Sequence, residues 1–532
     1  MKTVQTYKHY KSPPRKLLKF FEQSRNQWKA KCGEAKKLVK RLKNRVCFLE
    51  KSKAHWKNRT KELEAELAQM KAKEQNKEEA ILKKEAAENS LVPEAMGNFR
   101  VAHHHYTVGQ VRLFVLLVLS AAASFRCASH TLGLVGSFWQ LSLSVPSYVT
   151  GRLWLLRLGY YKLTRPKERA DDWVWIVDHT VQLGTEKCLV ILGLRLGDLP
   201  AADRCLSYED VEPIALWPVK HSNGRVVYQQ LEETIDKTGL PREIVGDQGS
   251  DLRSGIQQFC QVHPETCYIY DIKHKTAAVL KHELQNDEAW LTFTKLAAQT
   301  KKKVQQTVLA ALAPPNQRAK ARYMNVDCLI RWGHNILTFL DQQSPQNHTP
   351  FDPEQVKEKF DWVIEFRKPL EQWRQLLEVI TTTESFVRKR GLYHGACRDL
   401  VKELPELSAQ TQRTKSVRQQ LLTFVATEEL KANPTERLLG SSEVLESLFG
   451  RLKRLEQDQA KSGFTGLLLS IAAMVSTTTT EVVQKTLETV PTKKVLAWSK
   501  KYLGQSVQAL RKEAFASDNK TEQKPDQLWM AT

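Results

Sequence analysis

The sequence predicts an α/β fold: a mixed five-stranded sheet covered by helices, interrupted by a large helical insertion and preceded by two helical segments. Three observations predict it. Between residues 172 and 280, apolar runs of strand length alternate with amphipathic stretches of helical period. From Ile272 to about Pro434 the strand pattern vanishes, and long helical patterns rich in Gln, Lys, Leu and Trp replace it. Residues 15–88 hold no Pro and one Gly in a run rich in Lys, Glu, Ala and Leu, the composition of a long helix.

That first helix, within a segment spanning 1–90, carries an imperfect heptad seam. Leu49, Trp56, Leu63 and Met70 recur every seven residues, beside a half-polar seam of Val46, Lys53, Thr60 and Leu67. Residues 1–60 carry 19 Lys/Arg against 3 Asp/Glu, most of the chain's net +22. A basic arm on a nearly balanced body is the footprint of a polyanion binder. Two readings stand: a coiled-coil-like dimerising helix, which is preferred, or a lone helix lying on phosphates. A linker follows over 91–105, with Pro93 and Gly97. Its His103-His104-His105 run reads as a solvated loop before it reads as a metal site.

Residues 106–165 change to short apolar helices, expected over 108–128, 131–140 and 146–159, the last bounded by Pro146 and Gly159. Three short helices with a tight break before the third fit a helix-turn-helix domain. In that reading Ser147, Thr150 and Arg152 face a groove, and Trp154, Leu155 and Leu158 face the core; a plain helical bundle is the alternative.

The sheet region, 170–275, reads βββαβαβ. Strands are expected over 173–178, 187–196, 214–219, 243–247 and 267–271, with helices over 225–238 and 251–262. The first three strands form an antiparallel meander and the last two arrive by parallel crossovers, so the sheet is mixed. The insertion spans 276–435. Its Trp290, Trp332, Trp362 and Trp373 fall at core-like positions, with Trp332 the one candidate for stacking on a base. Residues 436–513 return to the sheet domain with a helix carrying Glu446 and a small apolar stretch at 463–473. Residues 514–532 turn polar and are expected to be disordered.

Three acids stand out. Asp178 closes Trp173-Val174-Trp175-Ile176-Val177-Asp178, Asp247 closes Glu243-Ile244-Val245-Gly246-Asp247, and Glu446 lies in Val444-Leu445-Glu446-Ser447-Leu448-Phe449-Gly450-Arg451-Leu452-Lys453. Two carboxylates on strand ends and one on a later helix can converge on a pair of divalent metals, the arrangement that serves in-line attack on a phosphodiester. Each acid has a rival reading. Asp178 can cap a hairpin; Asp251 competes with Asp247 but reads as an N-cap; Glu443 competes with Glu446 one turn earlier. Lys273, His274 and Lys275 follow the fifth strand, where they can grip phosphates, position water or serve as a structural cap. Arg451 and Lys453 can hold phosphates or form a solvated helix end. Nine scattered cysteines, none in a CxxC pair, argue against a zinc site or a disulfide framework. The longest apolar run, Leu113 to Ser124, is too short to span a bilayer.

The strand order, the Asp178–Asp247–Glu446 positions and the segment from Val444 to Lys453 resemble the bacterial insertion-sequence transposases of the DDE class, whose core is ribonuclease H-like. The resemblance covers roughly 173–271 and 434–469. The 199-residue gap from Asp247 to Glu446 matches members with a helical insertion. The resemblance implies a DNA transposase that cleaves and joins strands at element ends. It implies two Mg²⁺ (or Mn²⁺) ions, with Asp178 bridging, Asp247 on one ion and Glu446 on the other. The partners implied are double-stranded DNA of element ends and target. No membrane is expected, nor any export, and the chain is expected to form a homodimer or higher assembly on DNA in a cytoplasmic, nucleoid-associated location. The alternatives are a non-catalytic transposase-derived DNA-binding protein and a ribonuclease H-like nuclease or resolvase.

Overall fold

Alternating β-branched and aromatic residues put Trp173–Val181 (β1), Lys187–Arg195 (β2), Glu212–Val219 (β3), Pro241–Gly246 (β4) and Cys267–Tyr270 (β5) into one sheet. In this computed structural model the strand order is β3-β2-β1-β4-β5. β1 pairs antiparallel with β2, and β2 with β3; β4 pairs parallel with β1 and β5 with β4. The order is compatible with a ribonuclease H-like core. The structure describes scattered positions between 13 and 46 and then 99–515, apart from 141–142, 182–185, 202–203, 317–322, 324–325, 343–349, 407–409, 458–463 and 504–509. Met1–Val92 and Pro93–Thr532 are separate units. In the first, the described positions from 15 to 46 are helical apart from masked gaps, while Leu49, Trp56, Leu63 and Met70 lie outside the described residues.

The strands' two faces serve two cores, as period-2 alternation requires. Trp173, Trp175, Val177, Leu189 and Ile191 pack under Gly224–Thr238 (helix α4) and Ser250–Val262 (α5). Val174, Ile176, Val190 and Leu192 face the other core, which also takes in buried residues of 101–163, of the helical insertion and of 438–498. The Trp175 indole donates to Thr238 Oγ1 at 3.2 Å, so even the fully buried ring keeps its N–H paired.

The N-terminal helices differ from expectation in their boundaries. The apolar run breaks into Val108–Leu119 (α1) and Phe125–Phe138 (α2). Between them Ala122 takes φ +57°, and Ser124 caps α2 by accepting from the Cys127 N–H at 3.2 Å. The third helix, Tyr148–Thr164 (α3), runs past Gly159 instead of ending there. Gly159 is a site of close approach: a Cβ there would lie 1.9 Å from the Leu469 carbonyl oxygen. The apolar stretch after residue 463 forms a 3-10 turn, Gly466–Leu469, and the short helix Ser470–Met474, both buried. Lys162, fully buried on α3, bonds the carbonyls of Val475 and Ser476 at 2.8 Å, Ala473 at 3.3 Å and the Thr478 hydroxyl at 2.9 Å. The N-terminal helices are thereby fastened to the end of the chain.

Among the described residues the insertion is built of helices: Ile272–Leu284 (α6), Glu288–Val304 (α7), Asp327–Asp341 (α8), Pro353–Phe360 (α9), Arg367–Arg390 (α10), Ala396–Glu403 (α11) and Gln412–Glu429 (α12). Its core is aromatic. Trp290 and Trp373 are buried in T-shaped contact at 5.0 Å, and Phe293 touches Trp332, Trp362 and Trp373. Trp332 donates to the Leu312 carbonyl at 2.9 Å, so this ring belongs to the core. The chain then returns in Glu443–Gln457 (α13) and closes with Thr480–Thr489 (α14) and Thr492–Leu503 (α15). Among the described residues no helix is long and apolar enough to cross a membrane, and the cysteines are free.

Candidate functional site

Parallel register places the first two acids side by side. Val177 of β1 pairs with Gly246 of β4, so Asp178 and Asp247 follow at neighbouring positions. β1 does not end at Asp178, as the sequence suggested. It continues to Val181 against β2, because only its pairing with β4 stops at Val177. Asp178 Oδ1 accepts from the His179 N–H at 2.6 Å, and Asp247 Oδ1 accepts from the Gly249 N–H at 3.0 Å in a tight turn. The Tyr268 hydroxyl donates to the Asp247 carbonyl, tying β4's end to β5.

Glu446 comes from the first turn of α13, and Asp271 positions that turn. Asp271 is fully buried immediately after β5; its Oδ1 accepts from the Ser442 N–H at 2.6 Å and its Oδ2 from the His274 N–H at 2.9 Å. It thus caps α6 and holds the residue just ahead of α13. Two backbone bonds brace it: Asp271 N–H to the Gly246 carbonyl, and Ile272 N–H to the Gly440 carbonyl, both 3.0 Å. His274 Nδ1 lies 2.8 Å from Asp271 Oδ2, which turns His274 Nε2 to within 3.8 Å of Glu446 Oε1. In the sequence Asp271 is only the last residue of the expected fifth strand, two positions before Lys273-His274-Lys275. An Asp placed three residues before a His, between a strand and a helix, was the signal that it caps.

The electrostatics show how crowded these groups are. Burial first, then the charge of Asp247, pushes the Asp178 carboxyl up to about 7; Glu446 adds to the rise, while His274 and the His179 N–H oppose it. Burial also raises Glu446, helped by Asp271 and Glu443 and opposed by His274 and Lys273. His274 goes the other way. Burial alone would lower it, but the hydrogen bond and charge of Asp271, with Asp247 and Glu446, raise it to about 9. Three carboxylates from β1, β4 and α13 therefore share one electrostatic neighbourhood, with His274 as the nearby cation.

The rival acids are occupied elsewhere. Glu443 is ion-paired with Arg388 of α10. Asp251 bonds Lys187 at 2.6 Å and lies 3.7 Å from His179 Nδ1. Burial would raise Asp251, but the bonds from Lys187 and Ser222 and the nearby charges hold it at about 2. Asp251 is not the N-cap of α5, a position taken by Gly249.

The candidate DNA contacts divide. Lys273 is ion-paired with Glu384 at 3.0 Å, and Lys275 lies over the Phe424 ring at 5.4 Å, so both turn toward the insertion. Only His274 of that trio faces the carboxylates. Arg451 stacks on Tyr208 at 4.1 Å and donates to the Leu119 carbonyl at 3.4 Å; Lys453 is exposed. Ser147 is exposed and caps α3 by accepting from the Thr150 N–H at 3.1 Å, with Thr150 half-buried. Burial lowers the Arg152 guanidinium below its usual range. Beyond that first turn, α3 is mostly buried.

The donor set is oxygen-rich and lacks sulfur, which fits Mg²⁺ or Mn²⁺ rather than zinc. Among the described residues no group of three or more His, Cys, Asp or Glu side chains is placed closely enough to hold a metal ion as it stands. Mg²⁺ needs few protein carboxylates because it keeps waters.

No protein-family model matches the chain, and no curated protein matches it. Among solved structures it is similar to the Drosophila P element transposase strand transfer complex, at 12% identity, over 79% of this chain and 100% of that chain, with a TM-score of 0.34.

Proposed function

We propose that the chain is a metal-dependent DNA strand-cleaving and strand-joining enzyme, a transposase of the DDE class, with Asp178, Asp247 and Glu446 as its metal-holding residues. The observation that carries this reading is the meeting of three half-buried acids, from β1, the residue after β4 and α13, in one electrostatic neighbourhood, in a chain of net charge +22. A buried carboxylate beside two others is unfavourable unless a cation joins it. Two Mg²⁺ or Mn²⁺ ions bound there would supply activation of the attacking oxygen and stabilisation of the leaving one.

The chain's own residues prepare that site. Asp178, on which the charges of both Asp247 and Glu446 act, would help to hold the ions together with those two residues. Asp271 and His274 orient Glu446, the one of the three acids that comes from a helix. The basic arm brings duplex DNA to the body through counterion release, and an assembly of two or more copies on DNA supplies a site for each end. The test is nicking and joining of a duplex by the purified chain in Mg²⁺. Asp178→Asn, Asp247→Asn and Glu446→Gln should each abolish both reactions and leave duplex binding within about two-fold. Binding without cleavage by the parent protein would favour the non-catalytic DNA-binding reading. Cleavage that survives Glu446→Gln would remove Glu446 from the site.

A further inference from the structure

A second concavity opens at the outer edge of β3, two strands from β1 and sharing no residue with the carboxylate cluster. It encloses about 740 Å³ between the end of α3, the chain leading into β1, the end of α4 and the helix α15. Its wall presents six cations, Arg165, Lys167, Arg169, Lys237, Lys494 and Lys501, against one lining carboxylate, Asp236. Glu212 answers two of them, pairing with Arg165 and, at 2.9 Å, with Lys167. The other four have no ion pair among the described residues. Arg169 donates to the Asp236 carbonyl at 3.1 Å and Lys494 to the Thr489 carbonyl at 3.3 Å. Lys237 donates to the Ile214 carbonyl at 2.9 Å and lies 4.9 Å from the Trp217 ring; Lys501 lies 4.9 Å from the Tyr502 ring. Burial pushes both Lys167 and Lys237 down to about 8, the mark of cations gathered away from water.

Aromatic rings interleave with these charges. Tyr160, Trp217 and Tyr502 are half-buried in the lining, and Trp498 backs Tyr502 at 5.5 Å. Unanswered cations plus partly open aromatic faces are complementary to a phosphate joined to a flat base. The volume is that of a small-ligand pocket; it admits a nucleotide or two and excludes a base-paired duplex.

We propose that this cavity binds an unpaired segment of a DNA strand, with phosphates on Arg169, Lys237, Lys494 and Lys501 and bases against Tyr502 and Trp217. The choice of a DNA strand over a free nucleotide rests on the proposed function; the chemistry of base and phosphate does not. The test is fluorescence anisotropy of a labelled 12-nucleotide oligothymidylate with the full chain in EDTA, so that it reads binding whether or not the carboxylate site cuts DNA. Lys494 and Lys501 are exposed on α15, and replacing both with Ala leaves the core untouched. The Lys494→Ala/Lys501→Ala chain should bind the oligonucleotide about 10-fold more weakly, with the log–log salt slope shallower by roughly 1.4, about 0.7 per lost phosphate contact. Tyr502→Ala should weaken binding about 10-fold with the slope unchanged, since stacking releases no counterions. Affinity for a blunt duplex should change less than about two-fold in both variants, the basic arm being common to all of them. Parent-like binding by both variants, or equal losses on strand and duplex, overturns the proposal. Displacement of the oligonucleotide by millimolar nucleoside triphosphate also overturns it, in favour of a free-nucleotide site.

Discussion

Asp271→Asn is the most informative single change, because it keeps shape and volume while removing one charge. Asp271 Oδ2 accepts two donors from His274, at 2.9 and 2.8 Å, and Oδ1 accepts one from Ser442 N–H at 2.6 Å. An asparagine can turn its oxygen to only one side. Facing His274 keeps two bonds and points the amide N–H₂ at the Ser442 N–H, which is 1% exposed and has no water to replace the lost acceptor. A hydrogen bond to a charged group is worth about 1.5–3 kcal/mol and an orphaned buried donor costs about 1–3 kcal/mol. The expected loss is therefore about 2.5–6 kcal/mol, against a domain stability of about 5–15 kcal/mol. The local effect is larger than the global one. Ser442 immediately precedes α13, and Glu446 sits on that helix's first turn, so its carboxyl loses its fixed position. Displacement of a reacting group by about 1 Å costs on the order of 100-fold in rate. Urea titration should show the stability loss, and a nicking assay in Mg²⁺ should show a fall of about that size with duplex affinity retained. A stability change below about 1 kcal/mol with full nicking would refute the positioning argument. Lost nicking with unchanged stability would also refute it, since the hydrogen bonds would then not be what Asp271 supplies.

Other changes probe the frame around the site. Gly159→Ala should cost about 3 kcal/mol or more, because its Cβ would meet the Leu469 carbonyl oxygen at 1.9 Å, whereas Gly450→Ala, with nothing within 4 Å, should gain about 0.5–1 kcal/mol; calorimetry should show their Tm values moving in opposite directions, and a shared direction would contradict the packing argument. Lys162→Met should destabilise by about 3–5 kcal/mol, because it orphans the carbonyls of Ala473, Val475 and Ser476 that the ammonium now bonds; a neutral result in urea unfolding would mean that water replaces the ammonium. Asp251 is held at about 2, below its ordinary 3.8. Its contribution is therefore full above 3.8 and is lost as pH falls through about 2. Asp251→Asn should flatten stability against pH across that window, and an unchanged acid slope would show that Asp251 is not the group responsible.

The sheet was readable because strand signals are local. Short apolar runs marked all five strands within a few residues, and the parallel crossovers followed from the two helices between them. Asp178, Asp247 and Glu446 stood out for the same reason, each at the end of an apolar run or inside one helix. Helix ends were less readable. Gly159 looked like a stop, but glycine serves close approach as well as termination, and only the Leu469 carbonyl lying against it distinguishes the two. The run 108–128 looked like one helix because its break at Ser120–Ser124 depends on a side-chain cap that apolar periodicity cannot register.

What the sequence determined by itself was the order of the elements and the mixed character of the sheet, and it singled out three candidate acids, since each depends on neighbours along the chain. What only the tertiary structure decided was which polar groups meet. Lys273, His274 and Lys275 are adjacent in sequence, yet one faces Glu446 and the others turn to Glu384 and Phe424. Glu443 and Glu446 share a helix, yet Arg388 claims one and His274 the other. Asp271 joins β5 to a helix 171 residues later. The cavity beside β3 draws its cations from three segments spread over more than 300 residues. Such groups are brought together by folding of the sheet and its helices, and their pairing is set by distance and burial in space, to which spacing along the chain carries no signal.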